Sequence, residues 1–157
     1  MATRKKRNKK VDEKVTYEIS VQSWDMEYSF GVNRFQNVLS GVYLEHPCIY
    51  FIGALDAPEI KQCSQVKVRL LPNEDLSNHH KLSPNDRSPE GVGYMEIPKT
   101  EDVLKITCHL PPNGFQLVAT WACLDKIKRI NVYGTKLRYR QGTVIDIQLK
   151  PDQDEDE

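Results

Sequence analysis

Four cysteines and four histidines are the residues of this sequence best suited to bind a metal ion. A structural zinc site needs close pairs such as Cys-x-x-Cys, because a short loop then brings two thiolates to one tetrahedral centre. The cysteines at positions 48, 63, 108 and 123 form no such pair. The neighbours Cys108 and His109 fall in a predicted strand, where adjacent side chains point to opposite faces. We therefore predict no metal site and no cofactor, and we interpret the cysteines as small packed hydrophobic residues.

Catalysis is the second kind of chemistry that residues of this sequence could perform. Nucleophilic catalysis needs a Cys or Ser beside a His base that a third group orients. The sequence has no Gly-x-Ser-x-Gly motif, and Gly91-Val-Gly93 lacks the helical pattern that follows a phosphate-binding loop. The patterns favour a protein that is not an enzyme. A hydrolase-type site assembled in space, around His109 or the His79-His80 pair, remains as an alternative.

A basic segment with tyrosines, residues 126–140, has the most distinctive chemical pattern, and we interpret it as a β-hairpin. Alternation places Lys136, Arg138 and Arg140 on one face of its second strand, where they could follow phosphates. Tyr133 could then stack on a base. The more ordinary explanation is a solvated outer face whose cations discourage edge pairing.

Opposite charges at the two ends cancel to a net charge of zero. Residues 1–14 hold seven lysines and arginines against two acids, whereas residues 150–157 hold one lysine against five acids. We predict a disordered basic tail at 1–14 and a disordered acidic tail at 150–157. The basic tail could contact nucleic acid, act as a solubilising tail, or pair with an acidic tail. The nucleic-acid contacts predicted for the tail and the hairpin together are Arg4, Lys5, Lys6, Arg7, Lys126, Lys128, Tyr133, Lys136, Arg138 and Arg140.

Period-two alternation dominates the chain between the tails. It predicts strands at 15–24, 26–31, 41–45, 47–55, 64–71, 91–97, 103–110, 127–133, 135–139 and 143–149. Asp25 is predicted to break the chain between the first two, whereas 41–45 and 47–55 are either two strands or one bent strand. Residues 72–90 form a long polar loop with three prolines. At 112–125 a helical stripe and a strand alternation are both present, so a short helix and a strand stay open alternatives.

These patterns predict a mainly β protein: an antiparallel β-sandwich or open barrel of about nine strands, with at most one short helix near 112–125. A single domain would span 15–149. The N-terminus lacks a secretory signal, and the most hydrophobic stretch, 48–55, is far shorter than the ~20 residues that span a bilayer. We therefore expect a soluble cytoplasmic protein that does not contact membranes.

The function most in keeping with these features is a non-enzymatic protein-interaction module, an adaptor or a subunit of a larger assembly. The near-neutral body argues against a dedicated nucleic-acid domain. A nucleic-acid-associated protein that uses the basic tail and the 126–140 hairpin is the first alternative, and the hydrolase is the second. We expect a protein partner of unknown identity, and the chain could also form a homo-oligomer.

Overall fold

The computed structural model describes residues 12–34, 41–83 and 89–152, and these form a mainly β fold. The elements in chain order are β1 (Lys14–Val32), β2 (Tyr43–Ala57), β3 (Gln65–Pro72), β4 (Gly93–Glu96), β5 (Val103–Leu110), α1 (Pro112–Cys123), β6 (Arg129–Thr135) and β7 (Gln141–Lys150). Within the described part of the 72–90 segment lie two single 3-10 turns, Glu74–Leu76 and His79–Lys81.

The strands close into one barrel in the order β1-β2-β3-β5-β4-β7-β6, and β6 returns to β1. One pair, β3 with β5, is parallel, and every other pairing of the described strands is antiparallel. Within the closed barrel each strand has a paired neighbour on both sides. Closure therefore removes free edges at which unwanted strand pairing could start.

The mainly β prediction is confirmed, but the described chain contains seven strands where about nine were predicted. Two pairs of predicted strands are continuous: 15–24 joins 26–31 in β1, and 41–45 joins 47–55 in β2. Asp25 does not break β1, because its side chain takes an exposed position on a strand that remains paired through it.

The predicted strand 135–139 is wrong. β6 ends at Thr135, and the chain reverses through Tyr139 and Arg140, which have φ angles of +53° and +64°. An extended strand cannot include such residues. In the described structure, residues 136–139 beyond the end of β6 have one isolated β-bridge, which joins Arg138 to Gln141.

Alternating inward side chains fill the barrel. The largest fully buried residues are Tyr17, Phe51, Ile19, Ile49, Leu70, Met95, Leu104, Ile106 and Ile130. The hydroxyl of Tyr17 donates to the carbonyl oxygen of Thr135 at 2.9 Å, so its one polar atom is satisfied. Burial of this size supplies most of the stabilising free energy of a small domain.

The short helix predicted near 112–125 is confirmed as α1. Pro112 occupies the first turn, where its missing N–H costs nothing and its fixed φ suits a helix. Val118 and Ala122 are buried against the barrel, and Phe115 and Ala119 pack partly beside them. These residues pack against the barrel at helical spacing. Of the two alternatives left open for 112–125, the helix is therefore correct and the strand is wrong.

α1 covers one end of the barrel. It follows β5, whose last residue, Leu110, pairs with Pro72 at the end of β3, and it precedes β6, whose first residue, Arg129, pairs with Ser20. We call this the helical end of the barrel. The same registers place the start of β1 at the opposite end.

Candidate functional site

The first candidate site is a two-stranded arm, residues 24–32 of β1 with residues 43–48 of β2. β1 pairs with β6 only as far as Ser20, and β2 pairs with β3 only from Ile49 onward. Beyond these points the two strands pair with each other alone. At about 3.3 Å per residue the arm extends about 20 Å past Met26, the partner of Ile49. It projects from the helical end of the barrel.

One face of the arm is apolar and exposed. Partners in an antiparallel pair share a face, and Trp24 and Met26 lie opposite the buried residues Phe51 and Ile49. The apolar face therefore continues the line of the core into solvent. Its exposed residues are Trp24 (37%), Met26 (42%), Tyr28 (66%), Phe30 (61%), Val32 (63%) and Tyr43 (60%).

Aromatic stacking orders the outer part of this apolar face. The rings of Phe30 and Tyr43 stack with centroids 5.5 Å apart and an interplanar angle of 20°. Tyr28 donates its hydroxyl to the carboxylate of Glu45 at 3.2 Å. These contacts hold large rings in fixed positions, which lowers the entropy that would be lost on binding a partner.

The opposite face of the arm is polar. Asp25, Glu27 and Ser29 alternate along β1, and Ser29 lies opposite His46 of β2. The arm is thus amphipathic although both of its faces are open to solvent. An isolated two-stranded ribbon of this kind is marginally stable in water. A contribution to the stability of the free chain is therefore a poor explanation for the exposed apolar side chains.

The outer stripe of α1 adds apolar surface at the same end of the barrel. Leu117, Trp121 and Leu124 follow one another at helical spacing and are 49%, 39% and 61% exposed. Residues at i, i+4 and i+7 lie on one side of a helix. The helical end of the barrel therefore carries two exposed apolar surfaces, one on the arm and one on α1.

The second candidate site is a groove on the outer face of β2, β3, β5 and β4. The registers align Tyr50, Arg69, Thr107 and Tyr94 in one row across these four strands. The adjacent row contains Lys67, Lys105 and Glu96. These residues line a concave volume of about 270 Å³.

Thr107 forms the floor of the groove, because its short side chain is buried between longer ones. The Nζ atom of Lys67 lies 4.3 Å from the centre of the Tyr50 ring. A guanidinium nitrogen of Arg69 donates to the hydroxyl of Tyr94 at 3.5 Å. A hydrogen bond with Cys48 and burial raise the pKa of Tyr50 to about 12, so its phenol is neutral at physiological pH.

The structure does not bring the predicted nucleic-acid residues of the hairpin together. Lys126 and Lys128 precede β6, and Lys136 follows it, so the seven residues of β6 separate them by about 20 Å. Tyr133, in between, lies opposite Asp146 and Thr16, and the shallow depression that these three residues line with Asn131 and Gln148 contains no cation. The tail residues Arg4, Lys5, Lys6 and Arg7 lie outside the described residues.

Four cations of this segment have partners within the fold. Lys136 lies 3.5 Å from Glu13, and Arg138 lies 3.9 Å from Asp12. Lys128 forms an ion pair of 2.7 Å with Asp125. Arg140 donates from Nε to the carbonyl oxygen of Ile97 at 2.8 Å, so it tethers another part of the barrel.

The three histidines named for the hydrolase alternative lie on two elements, a 3-10 turn and β5. His79 and His80 are exposed neighbours with ring centroids 5.7 Å apart, and His109 lies on β5. Within the described ranges no three His, Cys, Asp or Glu residues are grouped so that they could hold a metal ion. Burial raises the pKa of Cys108 to about 12, and a protonated thiol is a poor nucleophile.

We expect one rapidly reacting thiol per chain. Cys48, Cys63 and Cys108 are buried and burial raises the pKa of each, whereas Cys123 is exposed at the end of α1. Ellman's reagent at pH 8 should therefore label Cys123 alone, and Cys123→Ser should remove the fast phase. Fast labelling of a second thiol in the folded protein would contradict this burial pattern, and denaturant should release all four.

No known protein family, curated protein or solved structure matches this chain. Among the described residues, no helix has the length and apolar character needed to cross a membrane. The functions of the candidate sites therefore follow from their geometry and chemistry alone.

Proposed function

We propose that this chain is a non-enzymatic protein-interaction module, a subunit of a larger assembly, and that the apolar face of the arm is its docking surface. The observation that carries the proposal is the row of aromatic and aliphatic side chains exposed along a projecting ribbon. A surface of this kind costs solubility when it is left bare, and it is typical of protein–protein contacts.

The area of the apolar face supports this function. At about 200 Å² for a fully exposed aromatic side chain, the four aromatic residues of the face expose about 450 Å². The largest apolar patch of a typical monomer is about 300–600 Å² in total, and this patch further includes Met26 and Val32. The stripe on α1 is a second exposed apolar surface at the same end of the barrel, and a standard interface takes about 800 Å² from each partner.

The occupant that we propose is the arm of a second copy. A second copy presents an identical apolar face, and a two-fold axis then matches each aromatic row with its equivalent. The formal net charge of zero means that two copies do not repel each other at long range. Among the described residues of the apolar face, Glu45 is the one charged side chain, and it accepts a hydrogen bond from Tyr28.

Sedimentation velocity between about 1 and 200 µM tests this function. We expect the native chain to dimerise and the double variant Tyr28→Thr/Phe30→Thr to be monomeric, because buried aromatic anchors contribute about 2 kcal/mol or more each. The dissociation constant should rise at least about 100-fold. Threonine preserves strand propensity, so the arm should stay folded.

The matched control is Leu82→Thr, which removes an exposed apolar side chain outside the arm. It should leave the dissociation constant unchanged. A native chain that stays monomeric at about 200 µM would exclude the second copy as the occupant. A double variant that dimerises like the native chain would show that the arm is not the docking surface.

A further inference from the structure

The groove between Tyr50 and Tyr94 combines aromatic rings and cations on one small surface. Its row of four residues places an aromatic ring at each end with Arg69 between them. The neighbouring row adds Lys67 and Lys105. The floor at Thr107 is low, so the rings and cations stand around a depression of about 270 Å³.

The charges within the groove favour an anion. Lys105 forms an ion pair of 2.9 Å with Glu101. Within the described part of the chain, Lys67 and Arg69 have no carboxylate within salt-bridge distance, and Glu96 is the one acid that lines the depression. A guanidinium beside an ammonium group is a suitable pair for a phosphate, since together they supply several charged donors.

The rings favour a planar group. Tyr94 is 48% exposed, so one side of its ring is open to a partner. Tyr50 already has Lys67 over its ring at 4.3 Å. Aromatic rings along a basic surface are the arrangement that binds the bases of unpaired nucleic acid without reading their sequence.

A second depression continues the groove toward the arm. It shares Tyr50 and Arg69 with the first, and the arm lines it with Glu27, Tyr28, Ser29 and His46. Its volume is about 560 Å³. The two depressions are adjacent, because Tyr50 and Arg69 line both of them.

From this geometry we infer that the groove binds a nucleotide unit, with phosphate at Lys67 and Arg69 and the base against Tyr94. Two sources share this chemistry: a free mononucleotide and a single-stranded nucleic acid. The first depression, which contains Lys67, Arg69 and Tyr94, uses none of the residues of the arm's apolar face, so the inference does not rest on the proposed docking function; Tyr28 of that face lines the second depression alone.

Fluorescence anisotropy with the full-length chain tests this inference. The probe is a fluorescein-labelled oligodeoxythymidine of 12 nucleotides at about 50 mM salt, where ionic contacts are strong. We expect Lys67→Gln/Arg69→Gln to weaken binding at least about tenfold. Because each phosphate contact on a single strand contributes about 0.7 to the slope of log K against log salt, the slope should become shallower by about 1.4.

Tyr94→Leu probes stacking separately from charge. It keeps an apolar side chain on β4 but removes the ring, so binding should weaken about fivefold or more while the salt slope stays unchanged. The matched control for charge is Lys136→Gln/Arg138→Gln, which removes two cations at the far side of β6. It should change the affinity less than twofold, because those cations do not line the groove.

Competition with unlabelled AMP distinguishes the two sources. If AMP displaces the probe, the site accepts a free mononucleotide, and if only the oligonucleotide binds, it requires a chain; both results support the inference. Absence of binding of both the oligonucleotide and AMP at about 100 µM protein would overturn it. So would binding that disappears on deletion of residues 1–10 while Lys67→Gln/Arg69→Gln leaves it unchanged.

Discussion

Replacing Gly93 with alanine should destabilise the barrel by about 3 kcal/mol or more. Gly93 lies between Cys108 of β5 and Val144 of β7, where the backbones approach closely. A Cβ atom at this position would collide with the carbonyl oxygen of Thr107 and lie 2.9 Å from the Cα atom of Cys108. Backbone atoms cannot rotate away, so the strands must shift, and overpacking of a core costs about 1–3 kcal/mol or more.

Thermal unfolding measures this effect. For a chain of this size each kcal/mol corresponds to about 2–4 °C in Tm, so the expected decrease is about 6–12 °C. The control is Gly31→Ala in the arm, where a Cβ atom would have nothing within 4 Å. Its effect should stay within about 0.5 kcal/mol. Equal effects of the two substitutions would contradict the close approach of β4 to β5.

Replacing Arg140 with alanine should cost about 2 kcal/mol of unfolding free energy. Its guanidinium donates to the carbonyl oxygens of Ile97 at 2.8 Å and Pro98 at 2.9 Å, and so ties the β4–β5 connection to the start of β7. Hydrogen bonds from a charged donor contribute about 1.5–3 kcal/mol, and the carbonyls would lose their donor. Alanine retains a Cβ atom at the φ of +64°, so the backbone strain is the same in both proteins.

The neighbouring Arg138→Ala is the matched control for Arg140→Ala. Arg138 is exposed and lies 3.9 Å from Asp12, a distance at which an ion pair contributes little. Urea unfolding should therefore show a loss within about 0.5 kcal/mol for Arg138→Ala. If the two substitutions cost the same, Arg140 would not be the tether that its hydrogen bonds indicate.

The sequence predicts the elements of this fold better than their arrangement. Val66, Val68 and Leu70 alternate with Lys67 and Arg69, and this pattern correctly predicts a strand with its cations outward. Alternation is a local property, because successive side chains of any strand point to opposite faces. It contains no information about which strand lies alongside.

The groove could not be found from the sequence for this reason. Its tyrosines, Tyr50 and Tyr94, are 44 positions apart, and they share a row only because β5 pairs in parallel with β3 and antiparallel with β4. The 126–140 segment shows the opposite case. Its cations are close in sequence, and the positive φ of Tyr139 and the length of β6 separate them in space.

Alternation predicts the strands of the arm but not their exposure. Met26, Tyr28 and Phe30 alternate as a buried face would, and they do form a strand. They are exposed because β6 and β3 are too short to follow β1 and β2 outward. Periodicity therefore identifies an apolar face, whereas the lengths of neighbouring strands decide whether the chain covers it.

Closure of the barrel between β1 and β6 has a consequence for the order of events during synthesis. Ser20 pairs with Arg129 and Lys14 with Thr135, so more than a hundred residues separate the two partners. At about 5–20 residues per second, a ribosome needs about 5–20 s to deliver β6 after β1. During that interval the nascent chain holds an unpaired strand edge beside an aromatic ribbon, which is the period in which a chaperone would be most useful to it.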